Sequence, residues 1–194
     1  EPGFEKVENL AEYARSLNPT ITLSFNCDLM VHDEHIPLIE NLLNVLKKAN
    51  VDIIRIQDPG VLELVGQHHP KAICHYNQET GNQNKESIHA YSELFKRQTI
   101  NIETPYTEIQ IIQEGFSQEL EIQVHGPILI QYSARRFMNG YTSHNQTKTP
   151  TIQYKTAQDQ QYPNRYYGFY DNPHGHFMYL YFDRCLIKIG RAHV

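Results

Sequence analysis

Six polar side chains each close an apolar run in this chain. Asn26 follows ITLSF, Gln57 and Asp58 follow VDIIRI, Gln78 ends KAICHYNQ, Glu103 ends TINIE, and His125 ends LEIQVH, just before Gly126. Polar groups that repeatedly terminate apolar strands can converge into a polar pocket, because side chains at the ends of neighbouring strands share one rim. Solvation of ordinary loops is the alternative, and both readings stay open. Arg135 and Arg136 follow the stretch VHGPILIQYSA. Paired guanidinium groups there suit forked binding of phosphate or carboxylate, or equally a surface ion pair.

Other constellations carry less. His32, Asp33, Glu34 and His35 could in principle form a metal edge, but a capped helix start with a solvated face is the better reading. His68 and His69, before Pro70, mark a helix end. Ser133, His125 and Asp58 can be drawn as a hydrolase triad, yet no G-x-S-x-G elbow is present and the spacing forces nothing. Cys27, Cys74 and Cys185 stand far apart in apolar surroundings without a C-x-x-C pair, so they read as buried thiols of a cytoplasmic protein, not a zinc or disulfide framework.

The elements that must position these residues alternate. Val7, Leu10, Ala11, Ala14 and Leu17 lie on one helical face that Asn18-Pro19 ends. Then come the strand ITLSFN and a helix from His32 to Ala49. In that helix Asp33 is the expected N-cap, Pro37 lies in the first turn, and Ile36, Ile39, Leu42, Leu43 and Leu46 form the apolar stripe. Lys47 and Lys48 suit the last turn. Four further units follow: VDIIRIQ into PGVLELVGQ, KAICHYNQ into NKESIHAYSELFKRQ, TINIET into PYTEIQIIQEGFS, and LEIQVHG into a basic amphipathic segment. Such alternation predicts parallel strands, apolar on both faces, joined by right-handed crossovers. No Gly-rich phosphate loop follows a strand, so a (β/α) TIM-type barrel fits better than a doubly wound sheet. Beyond Tyr141 the pattern becomes polar, Tyr-rich and alternating. YYGFY and HFMYLY around DNPHG predict an antiparallel hairpin. The expected organisation is a partial barrel over 1–140, a small β-rich extension over 141–182, and the start of another barrel unit over 183–188.

The 194 residues carry a formal net charge of -5 and a pI near 6.1, which argues against coating nucleic acid by bulk charge but allows a local basic patch. No apolar run approaches the roughly 18 residues that span a bilayer, and no signal peptide is visible, so a cytoplasmic location is expected. The closing KIGRAHV can be written as codons that match a sequencing adapter. Ile189 to Val194 are therefore expected to be translated adapter, and without Arg191 and Lys188 the charge becomes -7.

The stretch from Ile21 to Val65 resembles the collagenase-like peptidase family U32. The matching residues are Asn26, His32, Asp33, Glu34, Val51, Asp52, Gln57, Asp58, Pro59 and Gly60. Gln78, Glu103, Glu121, His125 and Gly126 continue the match in order, as do Asp171, His174, Gly175, Asp183, Cys185, Leu186 and Ile187. The resemblance implies a β/α barrel of which this chain is an internal piece. It also implies one of two activities: a peptidase of unassigned mechanism, or a part in hydroxylation of tRNA wobble uridine with prephenate as co-substrate. Some members hold a four-iron, four-sulfur cluster on four cysteines. This chain departs from that pattern, with Leu129 and Arg136 at cysteine positions, and Gln123, Ala134 and Asn139 also differing. The expectation is therefore the cysteine-poor branch, with no iron–sulfur cluster and no other cofactor. Candidate barrel-mouth residues are Asn26, Gln57, Asp58, Gln78, Glu103, His125, Arg135 and Arg136, with no catalytic residue assigned. Expected partners are tRNA and a cysteine-bearing paralogue, and no membrane. Three readings compete: an RNA-modification component, a peptidase, and a non-catalytic barrel that only assembles with its paralogue.

Overall fold

A computed structural model describes residues 4–28, 30–78, 81–133, 135–145, 153–172 and 175–181. The chain forms two compact units that divide between Glu121 and Ile122, earlier than the loss of helical period after Tyr141 suggests.

The first unit opens on α1 (Phe4–Leu17) and then alternates strand with helix: β1 (Ser24–Cys27), α2 (Ile36–Lys48), β2 (Ile53–Ile56), α3 (Gly60–His68), β3 (Ile73–Tyr76), α4 (Lys85–Ala90), β4 (Arg97–Thr99), α5 (Tyr106–Gln113) and β5 (Glu119–Glu121). The five strands form one parallel sheet in chain order. In α2 the apolar stripe behaves as its spacing predicts. Ile39, Leu43 and Leu46 are buried, Pro37 sits in the first turn, where a missing N–H costs nothing, and Lys47 and Lys48 lie in the last. Asp33 is not its N-cap. It begins a short 3-10 turn, Asp33–His35, and α2 starts only at Ile36, with no side-chain cap. Asn84, by contrast, caps α4 by accepting from the Ser87 N–H at 3.0 Å.

The core lies on one face of the sheet. Ile54, Ile56, Cys74 and Tyr76 meet Leu43, Leu46, Val61 and Val65 from the helices, and Phe25 and Cys27 pack at its margin. Tyr76 stacks on Phe95, ring centroids 4.7 Å apart. A smaller cluster of Ile88, Ile100 and Ile112 closes the far end. The strands are not apolar on both faces, contrary to the expectation from their composition. Side chains alternate between faces, and the helices bury only one set. A further difference is the register of the fourth unit. α4 stops at Ala90, and the strand is Arg97–Thr99, not TINIET. FKRQ therefore belongs to the loop and strand, not to the end of a helix.

The second unit departs from the β/α pattern. After the turn at His125-Gly126, where Gly126 takes a φ of 119°, the chain forms β6 (Ile128–Ser133), α6 (Phe137–His144), β7 (Gln153–Gln158), β8 (Tyr166–Asn172) and β9 (Gly175–Tyr181). The sheet is antiparallel with the order β6-β9-β8-β7. The run ILIQYS is thus a strand of this sheet, and LEIQVHG does not lead into a helix. The hairpin predicted from YYGFY and HFMYLY is present as β8 and β9. Asp171 is fully buried. One carboxylate oxygen pairs with His176 Nδ1 at 2.5 Å, and the other accepts from the Met138 N–H at 2.9 Å, so a strand residue caps the start of α6. Phe137 packs on His176 beside that contact.

Candidate functional site

Register across the parallel sheet places one residue from each strand in a single rank: Asn26, Arg55, His75, Arg97 and Glu119. One step along lie Thr99 and Glu121, which are paired across β4 and β5. The rank between them, Cys27, Ile56, Tyr76, Gln98 and Leu120, faces the opposite way. The sheet therefore carries an apolar face under the helices and a charged face on its other side.

On the charged face, Arg55 forks onto Glu121: Nη1 donates to Oε2 at 2.9 Å and Nη2 to Oε1 at 2.6 Å. Arg55 Nη2 also donates to Asn77 Oδ1 at 2.9 Å. This bidentate pair is mostly shielded, with side chains 20% and 28% exposed, where a fork is stronger than at an open surface. Arg97 holds Glu119 through Nε at 2.8 Å and Nη2 at 2.5 Å, and its Nη1 lies 3.5 Å from Glu121. The two guanidinium groups are thus linked through Glu121. Hydrogen bonding to Arg55 holds the Glu121 carboxyl below the usual glutamate range, against the opposing effect of burial. Glu119 is lowered likewise by its bond to Arg97. His75 lies in the rank between the two arginines and is buried. Burial, then the charges of Arg97 and Arg55, push its pKa down, so the imidazole is neutral at pH 7. A neutral imidazole can accept a proton. Arg97 is partly exposed, but Glu119 and Glu121 already engage it and the two carboxylates balance the two guanidinium charges, so an anion binding here has to share Arg97 with Glu119.

The residues singled out from sequence are distributed differently. Asn26 stands in the rank, exposed. Gln57 is buried, and its N–H donates to Cys27 O at 3.3 Å. Asp58 serves the backbone: its oxygens accept from Gly60 N at 2.8 Å and Val31 N at 3.0 Å, which ties the start of α3 to the loop after β1. Gln78 accepts from the Tyr76 hydroxyl at 2.9 Å, and Gly81 leaves room for its side chain, since a Cβ there would lie 2.5 Å from Gln78 Cδ. Glu103 is exposed in a turn beyond β4, its N–H held by Asn101 Oδ1 at 2.7 Å. His125 and Arg135 belong to the second unit and are exposed, and the half-buried Arg136 precedes α6. Sequence reasoning missed Arg55, His75, Arg97 and Glu119. The signal was available as period-two polar residues within apolar strands, but in Arg97's case only once the strand is placed correctly.

Cys27 and Cys74 lie on the helix-facing side, and burial pushes both thiols up to about 11. Leu129 is a β6 residue and Arg136 is the residue before α6. Neither side chain is an iron ligand, so the donor set at these positions does not fit a thiolate-held cluster. Among the described residues no three His, Cys, Asp or Glu side chains gather as a metal-holding group, and no helix is long and apolar enough to cross a membrane. His174, Asp183, Cys185, Leu186, Ile187 and the presumed adapter from Ile189 to Val194 lie outside the described residues.

Comparison with known proteins agrees with this architecture. The solved structure of a U32 peptidase aligns with a TM-score of 0.55 at 15% identity, over 77% of this chain and 64% of that one, which speaks for the fold alone. The tRNA hydroxylation protein P1 of Bacillus subtilis is 25% identical over 139 residues, 71% of this chain and 32% of that protein. An uncharacterized protease of Methanocaldococcus jannaschii is 25% identical over 142 residues, 71% of this chain and 34% of that one. The chain therefore spans about a third of the length of these curated relatives. The parallel β/α unit and the antiparallel sheet that follows it in the chain both fall inside the Peptidase family U32 model, which matches from residue 3 to residue 187, and on that match the chain belongs to peptidase family U32.

Proposed function

We propose that the protein is a component of tRNA wobble-uridine hydroxylation, and that the charged face of its parallel sheet holds a small carboxylate co-substrate of the prephenate kind. In this reading the sheet is part of a β/α barrel and the charged face looks into its lumen. Arg97 shares its partly exposed guanidinium between Glu119 and the ligand carboxylate, Arg55 and Glu121 hold the cradle in shape, and neutral His75 is placed to take a proton. Arg135 and Arg136 serve RNA phosphates. The observation that carries the reading is the rank of Arg55, His75 and Arg97 across three adjacent strands. The likeness to the tRNA hydroxylation protein of B. subtilis agrees with it.

The family name and the M. jannaschii relative favour a peptidase instead. Against that, a cysteine nucleophile needs a lowered pKa, and both described thiols are raised. A non-catalytic barrel that assembles with a cysteine-bearing paralogue is the third possibility. Deleting the gene in a strain without a redundant paralogue and measuring tRNA nucleosides by mass spectrometry separates these readings. Wobble 5-hydroxyuridine derivatives should fall, wild type should restore them, and Arg97→Ala or the pair Arg135→Ala and Arg136→Ala should not. An unchanged level after deletion sinks the reading, and cleavage of gelatin by purified protein, lost in a point variant, supports the peptidase.

A further inference from the structure

The antiparallel sheet has two unlike faces. Register puts Phe169, Asp171, His176 and Met178 on one, and α6 packs there through Phe137 and Met138. The other face carries Tyr132, Tyr154, Tyr166, Tyr170, Phe177 and Tyr179. Its rings form a connected surface. Phe177 lies 5.1 Å from Tyr132, 6.2 Å from Tyr170 and 6.5 Å from Tyr179, centroid to centroid. None of the six is buried, and Tyr154 and Tyr166 are 55% and 48% exposed.

We propose that this aromatic face is a stacking platform for unpaired RNA bases. Aromatic rings set on a sheet accept bases of any sequence, because every base has a π-face. Leu129, paired with Tyr179, is the aliphatic residue that register adds to this face, while Met178 and Leu180 alternate with the set and point the other way. Charge supports the same ligand. Residues 122–194 hold eight Lys and Arg against three Asp and Glu, a formal +5, while residues 1–121 hold nine against nineteen, a formal -10. Without Lys188 and Arg191 the second unit still has six against three. Among the described residues no position on the aromatic face is acidic, and Arg165 lies over the ring of Tyr162 at 4.1 Å in the turn next to Tyr166. A basic unit with an open aromatic sheet is the arrangement that binds single strands. The choice of RNA rests on the tRNA-hydroxylation reading, whereas the aromatic face itself does not.

The test uses the full-length protein and two probes, a single-stranded oligouridine and a blunt RNA duplex of equal length. Fluorescently labelled oligouridine should bind, read by its anisotropy, and the labelled duplex should bind more weakly. Tyr154→Leu, Tyr166→Leu and Tyr170→Leu should each lower oligouridine affinity by roughly 10-fold, while the matching Phe variants should keep it. Circular dichroism on every variant separates lost binding from lost folding, and Tyr154 and Tyr166 are exposed enough for Leu to be tolerated. Equal binding by Leu variants, Phe variants as weak as Leu, or equal affinity for the duplex would each overturn the platform. Self-association or capture of a paralogue through this face, with oligouridine binding intact in the Leu variants, would overturn it in favour of a protein partner. Ring-dependent oligouridine binding with unchanged tRNA modification in a deletion strain would support the platform and sink only the hydroxylation reading. Lost modification with ring-independent binding would do the reverse.

Discussion

Tyrosine occupies opposite places in the two units. In the first, Tyr76 is 1% exposed and sits between Tyr91 and Phe95 in the helix-side core, while the other side of the sheet is given to Arg55, His75, Arg97, Glu119 and Glu121. In the second, the buried pair is ionisable, Asp171 with His176, and six rings stand on the face opposite to it, none of them buried. A sheet under several helices can bury its aromatics on that side and leave charge on the other. A small sheet under one short helix buries its ionisable pair on the helix side, and the rings of its other face stay half-buried to exposed. The aromatic content of a segment thus says little until the covered face is known.

The contrast can be tested most strongly with one substitution made twice. Tyr76→Ala removes a ring from the packed core and should cost about 3–5 kcal/mol in urea unfolding. Tyr154→Ala should cost under about 0.5 kcal/mol. Similar losses at both sites would erase the distinction. Next in size is the Arg55 fork. Arg55→Leu leaves the shielded Glu121 with only the longer 3.5 Å contact to Arg97 and should cost about 2 kcal/mol, while adding Glu121→Leu should recover much of it. A single variant as stable as wild type would mean the fork is merely solvated. In the second unit, Asp171→Ala orphans both His176 Nδ1 and the Met138 N–H and should cost about 2 kcal/mol, with α6 loosening first in hydrogen exchange.

The smallest effect is a pH slope. The folded-state pKa of His75 lies below its unfolded value of 6.5. The unfolded chain therefore binds the proton first, so stability is full above 6.5 and declines as pH falls towards the folded pKa. Glu121, held low by Arg55, adds a second loss as pH drops below the ordinary 4.5 and through its folded value. His75→Gln should flatten the first slope and leave the second. If the slope between neutral pH and 5 persists in that variant, another histidine carries it.

Local rules made much of the fold readable. The stripe of Ile39, Leu43 and Leu46, the parallel alternation, and the hairpin around DNPHG all follow from periodicity and turn residues, which act over a few positions. The charged rank did not follow. Arg55 looks like one polar interruption in IIRI, and Arg97 looks like the basic end of a helix because FKRQ extends an amphipathic pattern. Polar residues at strand ends are where a barrel rim is expected, but Asp58 is taken up by backbone N–H groups, and Glu103 lies past the end of β4.

The family, the β/α order and the Tyr-rich hairpin were already written in the chain, because each depends on spacing within one element or on an ordered string of matching residues. Which arginine meets which glutamate was not. Arg55 and Glu121 are 66 positions apart, and their pairing needs the register of four successive parallel strands, each set by how its helix packs. Likewise, no local pattern told that β6 joins β9 instead of continuing the parallel sheet, since ILIQYS is equally apolar in either place. Strand partners are chosen by the burial of whole faces, and that choice is made only when the units fold.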